Sequence, residues 1–283
     1  MVIDVHVHPI FYDLIYTGEE EQKFRRDAFG VWKQSPMDFD EIFAEMEYGN
    51  VERAVLLPLD LTSAAGGWVV SNDQVAAIVR AHPERFIGFA GVDPLRPDAP
   101  EVLDRAFGEL GLSGLKLNPS RQRFMPDDPR LEPVYRECVE YDQPILFHAG
   151  MSWEPNAPAR FRPPLLVEEV FIRHPELRCG LAHFGWPWVR ETVMLLIKYP
   201  NVFADTSVLY LDSPEESIRR LFTGDMGRLW VERAFPRQVM FGSNGPRFRA
   251  FKLLRALEAL KLEPETRENL YRNNALRFLN GGD

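Results

Sequence analysis

The stretch VIDVHVHP (residues 2–9) decides how the rest of the chain is read, because its side chains alternate and its two histidines stand two residues apart. Strand side chains project to opposite faces in turn, so His6 and His8 point the same way at the carboxyl end of an opening β-strand. That puts two imidazoles within reach of one ion. An isolated His-x-His pair carries little weight by itself, since histidine is often simply buried.

Seven further short apolar runs bounded by Gly, Pro and Asp extend the pattern: RAVLLPLD (53–60), FIGFAGVD (86–93), GLKLNP (114–119), PILFHAG (144–150), CGLAHFG (179–185), VFADTS (202–207) and VMFGSNG (239–245). Each is followed by a stretch with apolar residues at spacings of three and four, such as FDEIFAEMEYG and NDQVAAIVRAHP. Asp38 and Ser71 are placed as helix N-caps, and Ser213 precedes an N1 proline, Pro214. Alternating strand and helix implies parallel strands with right-handed crossovers. Eight such units predict an α/β fold, a (β/α)8 TIM barrel forming a single domain over residues 1–283. A doubly wound open sheet would carry a glycine-rich phosphate loop after an early strand, and none is present. The apolar connection from Pro9 to Met37 reads as a lid-like insertion over the barrel mouth.

With 283 residues and 45% hydrophobic content, the chain has enough material for a large core. Its net charge of −9 excludes partners held by phosphate neutralisation, so neither nucleic acid nor an acidic membrane surface is expected. No run approaches the roughly 20 apolar residues of a membrane span, and no secretory leader is visible, so a cytoplasmic location is expected. Cys138 and Cys179 are too few and too far apart for a disulfide scaffold or thiolate cluster. Any metal must use histidine and oxygen ligands.

Barrel active sites lie at the carboxyl ends of the strands. There, His148 ends run five, His183 ends run six and Asn244 ends run eight, so four of the six histidines gather with His6 and His8 at the same mouth. His82 and His174 each precede a proline at a helix end and are expected to serve the helix instead.

The ordered set DVHVHP, HPERFIGFAGVDP, GLKLNP, FHAG, LAHFG, RQVMFGSNGPR and NNALRFLN resembles the amidohydrolase superfamily, specifically its amidohydrolase-2 branch. The resemblance spans the chain. It implies one divalent metal ion, zinc by the family's habit, held by His6, His8 and His148 with the strand-eight residue, here Asn244. Such an ion lowers the pKa of a bound water to about 7 and polarises a substrate oxygen. It also implies His183 as the group that moves a proton. The family's strand-eight motif reads FGSD, and Asn244 departs from it: an amide offers a neutral oxygen and no useful proton acceptor.

The resemblance further implies a small carboxylate substrate, with Arg247, Arg160 and Arg162 as candidate clamps, since guanidinium binds carboxylate bidentately. Lys116 and Asn118 share the inward face of run four and are expected to touch ligand. Lys116 is the position that binuclear relatives carboxylate, although the branch favours one ion. Phe11, Tyr12, Trp153 and Trp186 are candidates for an apolar wall. Family habit also suggests a homodimer. The expected activity is metal-dependent hydrolysis. Its alternatives are non-oxidative decarboxylation on the same residues, a metal-free lactonase, or a catalytically impaired, substrate-trapping or binding-only chain because of Asn244.

Overall fold

The computed structural model describes residues 1–161, 163–207 and 213–281. Among them eight strands follow one another in parallel: β1 Val2–Val7, β2 Val51–Leu56, β3 Phe86–Gly88 carried on by Ala90–Gly91, β4 Leu115–Leu117, β5 Ile145–Phe147, β6 Cys179–Leu181, β7 Val202–Asp205 and β8 Val239–Met240. The ladder runs β1-β2-β3 and, from the second part of β3, on through β4 to β8. The seam between β8 and β1 is joined by Val5 N–H to the Phe241 carbonyl at 2.9 Å and His8 N–H to the Gly245 carbonyl at 2.7 Å. The ring of strands is thereby closed as a (β/α)8 barrel. Strands are shorter than the runs quoted above: run eight is regular only over two residues, and its last five form the turn that carries Asn244.

Strand β1 breaks strict alternation. Ile3 and Val5 belong to the apolar cluster filling the barrel floor, together with Val55, Leu146, Phe203 and Phe278 from the C-terminal helix Asn274–Asn280. Alternation alone would turn His6 to the opposite face. The register against β2 slips between Asp4 and Val7, and such a bulge re-aims the residues beyond it. His6 accordingly meets the ends of β6 and β7. Asp4 Oδ1 takes up the displaced backbone, accepting from His6 N–H at 3.0 Å and Ser243 N–H at 2.9 Å.

The connection after β1 contains a helix, α1 (Glu19–Phe29), with three acidic residues in its first turn and Gly30 at φ 63° closing it. It is pinned by Arg25, fully buried, which donates to the carbonyls of Val69 at 2.9 Å and Ile15 at 3.1 Å and pairs with Glu21. The expected caps form: Asp38 starts α2 (Phe39–Tyr48) and Ser71 starts the helix Asn72–Ala81, each within a reciprocal capping box, and Ser213 caps Pro214–Arg220. His82 and His174 cap helix ends, against Phe39 and Glu132 respectively.

After β6 the chain makes a turn in which His183, Phe184 and Gly185 all have positive φ (59°, 49° and 65°). A Cβ on Gly185 would overlap Thr192 and come within 2.6 Å of Pro164. Gly185→Ala is therefore expected to cost on the order of 3 kcal/mol, read as a lower urea midpoint at unchanged m-value.

Candidate active site

His8, His148, His183, Asn244, Lys116, Asn118, Arg247 and Trp153 line one cavity of about 40 Å³ at the carboxyl ends of the strands. Most of the residues singled out in the sequence therefore converge there. His6 sits just beneath, its ring centroid 5.1 Å from that of His8 and 4.9 Å from that of His183. Arg160 does not join them: it lies exposed over the Phe161 ring. Arg162 lies outside the described residues. Phe11 and Tyr12 line a separate, larger apolar cavity of about 430 Å³ behind His8, and Trp186 packs on the core instead.

The imidazoles are held in defined orientations. Asp205, at the end of β7 and fully buried, accepts from His6 Nδ1 through Oδ2 at 2.8 Å. Its Oδ1 accepts the backbone N–H of His183 at 2.8 Å and of Ser207 at 3.0 Å, and the Ser207 hydroxyl as well. His8 Nδ1 donates to the Leu57 carbonyl at 3.2 Å. Because a carbonyl only accepts, the Ser207 carbonyl 2.6 Å from His183 Nδ1 fixes that tautomer and leaves His183 Nε2 as an acceptor. Nε2 faces His148 Nδ1 at 3.0 Å, while His148 Nε2 lies 3.0 Å from the Gly150 carbonyl and 2.8 Å from Ser152 Oγ.

Burial pushes the pKa of His6 and His8 well below the ordinary value and that of His183 down to about 4, with Lys116 adding repulsion in each case and Asp205 pulling His183 back up. Neutral imidazole is the form that ligates a metal. The ligand-capable atoms of His6, His183 and Asp205 lie within 4.8 Å of one another. Facing ring nitrogens of His148 and His183, each drawn by a carbonyl to protonate its far side, are an arrangement that a cation relieves. This donor set, of buried neutral imidazoles with carboxylate support, fits a divalent ion.

Sequence reasoning missed Asp205, although FADTS put an acid at the end of a strand where barrel chemistry lies. It also missed Arg121, Glu154 and Phe29, which line the same cavity. Phe29 ends α1 with its ring 4.5 Å from His8 and 5.6 Å from the Arg121 guanidinium, and its carbonyl is held by Arg247. The lid expected over Pro9–Met37 thus reaches the site through one phenyl ring. Lys116 Nζ is buried without a hydrogen-bond partner among the described residues, and burial pushes its pKa down to about 7 against the pull of Asp205.

Asp205→Asn is expected to weaken metal binding about 10-fold to 100-fold, followed by titration with manganese or zinc. Oδ1 meets three donors and Oδ2 a fourth, so an amide nitrogen faces a donor in either orientation. The metal-free protein should also lose stability on acidification. The folded pKa of His183 is about 4, below its unfolded 6.5, so its contribution is present above pH 6.5 and fades toward pH 4, on the order of 3 kcal/mol. His6 and His8 act in the same direction. Asp4 opposes them: burial raises it from 3.8 to about 7, so its contribution is present below pH 3.8 and lost as pH rises through 7. Three imidazoles against one carboxyl predict a net fall in melting temperature from pH 7 to 4, steeper in Asp4→Asn.

No helix of the described residues is long and apolar enough to cross a membrane. In sequence, the chain is 26% identical over 237 residues to 2-amino-3-carboxymuconate-6-semialdehyde decarboxylase of Dictyostelium discoideum, covering 74% of this chain and 65% of that protein. It is 29% identical over 146 residues to the gamma-resorcylate decarboxylase of Rhodococcus jostii (strain RHA1), covering 41% and 44%. The match thus spans less than two thirds of either relative's length. In structure, it resembles 5-carboxyvanillate decarboxylase of Novosphingobium aromaticivorans DSM 12444, an Asp-to-Asn mutant with manganese and 3-methoxy-4-hydroxy-5-nitrobenzoic acid bound, at a TM-score of 0.68, 20% identity and coverage of 99% and 97%, a likeness that shows the fold. The family model described as "Amidohydrolase" matches residues 3–281, so with the barrel closed and its histidines gathered at one mouth, the chain belongs to the amidohydrolase family.

Proposed function

We propose that this chain is an enzyme that carries out metal-assisted, non-oxidative decarboxylation of a small carboxylic acid, with hydroxylated aromatic acids the first candidates. The carrying observation is the neutral His183, set in one cavity with His8 and His148 and with the basic groups Lys116, Arg121 and Arg247. Hydrolysis was the first expectation from the sequence. Decarboxylation takes precedence because the curated relatives are named decarboxylases.

His6, His8, His148 and Asn244 would hold a divalent ion, which supplies polarisation of a substrate oxygen. Arg121 and Arg247 bind and orient an anionic oxygen pair of the substrate, and Lys116 adds positive charge without demanding a fixed partner. Phe29 and Trp153 offer ring faces and keep water out. As the bond to the carboxyl carbon breaks and carbon dioxide leaves, the electron pair stays on the substrate carbon. His183 Nε2, an acceptor at rest, takes a proton from solvent or from the acidic group of the entering substrate and passes it to that carbon, which leaves the imidazole neutral again.

The same proposal treats residues 1–283 as one catalytic domain acting in the cytoplasm on a small molecule, as a homodimer, with zinc or manganese as the ion. Size-exclusion chromatography and elemental analysis of untreated protein check the last two points. The main test is a panel of 2,6-dihydroxybenzoate, 5-carboxyvanillate, simple lactones and amides, with carbon dioxide and hydrolysed fragments both monitored. Carbon dioxide from an aromatic acid is the expected result. Turnover confined to lactones or amides would overturn it.

A further inference from the structure

Arg121 follows β4 in the short helix Pro119–Gln122, and Arg247 follows β8, so the two arginines come to the cavity from different parts of the barrel rim. The Arg121 side chain is only 10% exposed. The two guanidinium groups repel each other and both feel the same carboxylate, Glu154. Glu154 Oε1 lies 3.7 Å from Arg121 Nη1, too far for a hydrogen bond but close enough for an ion pair. Among the described residues no other carboxylate lines this cavity.

The three side chains are not equally anchored. Arg247 also donates to the Phe29 carbonyl, and the Arg121 backbone N–H donates to Asn118 Oδ1 at 3.2 Å. Glu154 stands in the stretch 151–158, which has neither helix nor strand. A volume of about 40 Å³ takes roughly one water molecule, far less than a benzoate ring. Something must therefore move for an aromatic acid to enter: Lys116 is carried on β4 and Arg121 on the helix Pro119–Gln122, Arg247 is tied to the Phe29 carbonyl, and Glu154 stands outside helix and strand, held by an ion pair at 3.7 Å.

We propose that Glu154 is a built-in competitor: its carboxylate occupies the anion subsite between Arg121 and Arg247, and an entering carboxylate displaces it together with the 151–158 segment. The inference rests on the carboxylate-substrate reading above and adds to it both the subsite and the residue that guards it. Glu154 then sets affinity and selectivity. A neutral ligand gains no arginine contact in exchange for dislodging it, whereas a carboxylate replaces one anion by another. Apparent affinity falls by the fraction of time the subsite is open.

The test is benzoate binding to the chain of residues 1–283 with manganese present, by calorimetry and by the fluorescence of Trp153, which is 43% exposed beside Glu154. In Glu154→Gln, benzoate should bind about 10-fold tighter, which corresponds to a subsite open about one-tenth of the time. Glu154→Asp keeps the charge but shortens the reach, and should also bind tighter than the original. In Arg121→Gln, binding should weaken at least about 10-fold, as expected on losing one arm of a charge-assisted clamp. Benzoate should shift Trp153 emission in the original protein. Equal or weaker binding in Glu154→Gln overturns the proposal, as does Glu154→Asp binding like the original, which would reduce Glu154 to background charge. Since benzoate binding requires no turnover, a chain that releases no carbon dioxide yet shows this pattern loses the decarboxylase reading and keeps this one.

Discussion

Asn244→Asp should raise the rate of carbon dioxide release by roughly 10²-fold to 10⁴-fold, the range usually associated with a positioned proton carrier. Position 244 can accept the change without rebuilding. Asn244 has φ 62°, a conformation that Asp tolerates nearly as well as Asn, and the segment around it is held by the Asp4 carboxylate, which accepts from Ser243 N–H, and by the Ser243 hydroxyl, which accepts from Gly245 N–H. Around the cavity stand Lys116, Arg121 and Arg247 against the single carboxylate of Glu154, so a second carboxylate enters a region with positive charge to spare. It would be ionised at neutral pH and would add a charged oxygen to the His6, His8 and His148 set. Rates on a panel of hydroxybenzoates, with metal content measured alongside, check this. An unchanged rate would mean that His183 handles the proton unaided. No activity in either form would favour the binding-only reading of the chain.

His183→Gln should lower the same rate by a comparable 10²-fold to 10⁴-fold while the protein stays folded. Gln offers an amide NH2 as donor and a carbonyl oxygen as acceptor in a similar volume, but it cannot carry a proton. The backbone N–H of residue 183 donates to Asp205 whatever the side chain, so the turn after β6 keeps its main anchor. The left-handed φ at 183 is costlier for Gln than for His, and a modest drop in melting temperature should accompany the loss of rate. Metal content near that of the parent would separate loss of proton transfer from loss of the ion. If rate and metal fell together, His183 would be a ligand, in keeping with its closeness to His6 and Asp205.

The two changes test different halves of one arrangement. His183 is held in a single tautomer by the Ser207 carbonyl, whereas Asn244 stands at the end of run eight, where the family resemblance implies an acid. A large gain from Asn244→Asp with a large loss from His183→Gln would assign proton handling to both positions in the restored enzyme.

The eight strands, the helices between them and the gathering of His6, His8, His148 and His183 were all legible in the sequence. Each of those signals is local: a period of two or of 3.6 residues, a cap three residues before its partner, a histidine at the last position of an apolar run. Closing the barrel brings all strand ends to one rim, so local placement was enough to predict a shared site.

Other features depend on distances that no local pattern encodes. Asp205 meets His6 across 199 positions of sequence, and nothing in FADTS distinguishes an acid that orients an imidazole from one that caps a helix. Strict alternation along VIDVHVHP is also insufficient, because the bulge in β1 is what allows Val5 to fill the floor and His6 to face the mouth. Arg160 and Arg121 look alike in the sequence, yet one lies over Phe161 in solvent and the other is buried beside Arg247. Sequence pattern was enough to bring the strand-end residues His6, His8, Lys116, Asn118, His148, His183 and Asn244 to the barrel mouth, because strand periodicity and strand ends are short-range properties. Which of them touch, and that Asp205, Arg121, Glu154 and Phe29 join them, follows from chain closure, because a buried charge or imidazole takes its orientation from partners brought within about 3 Å.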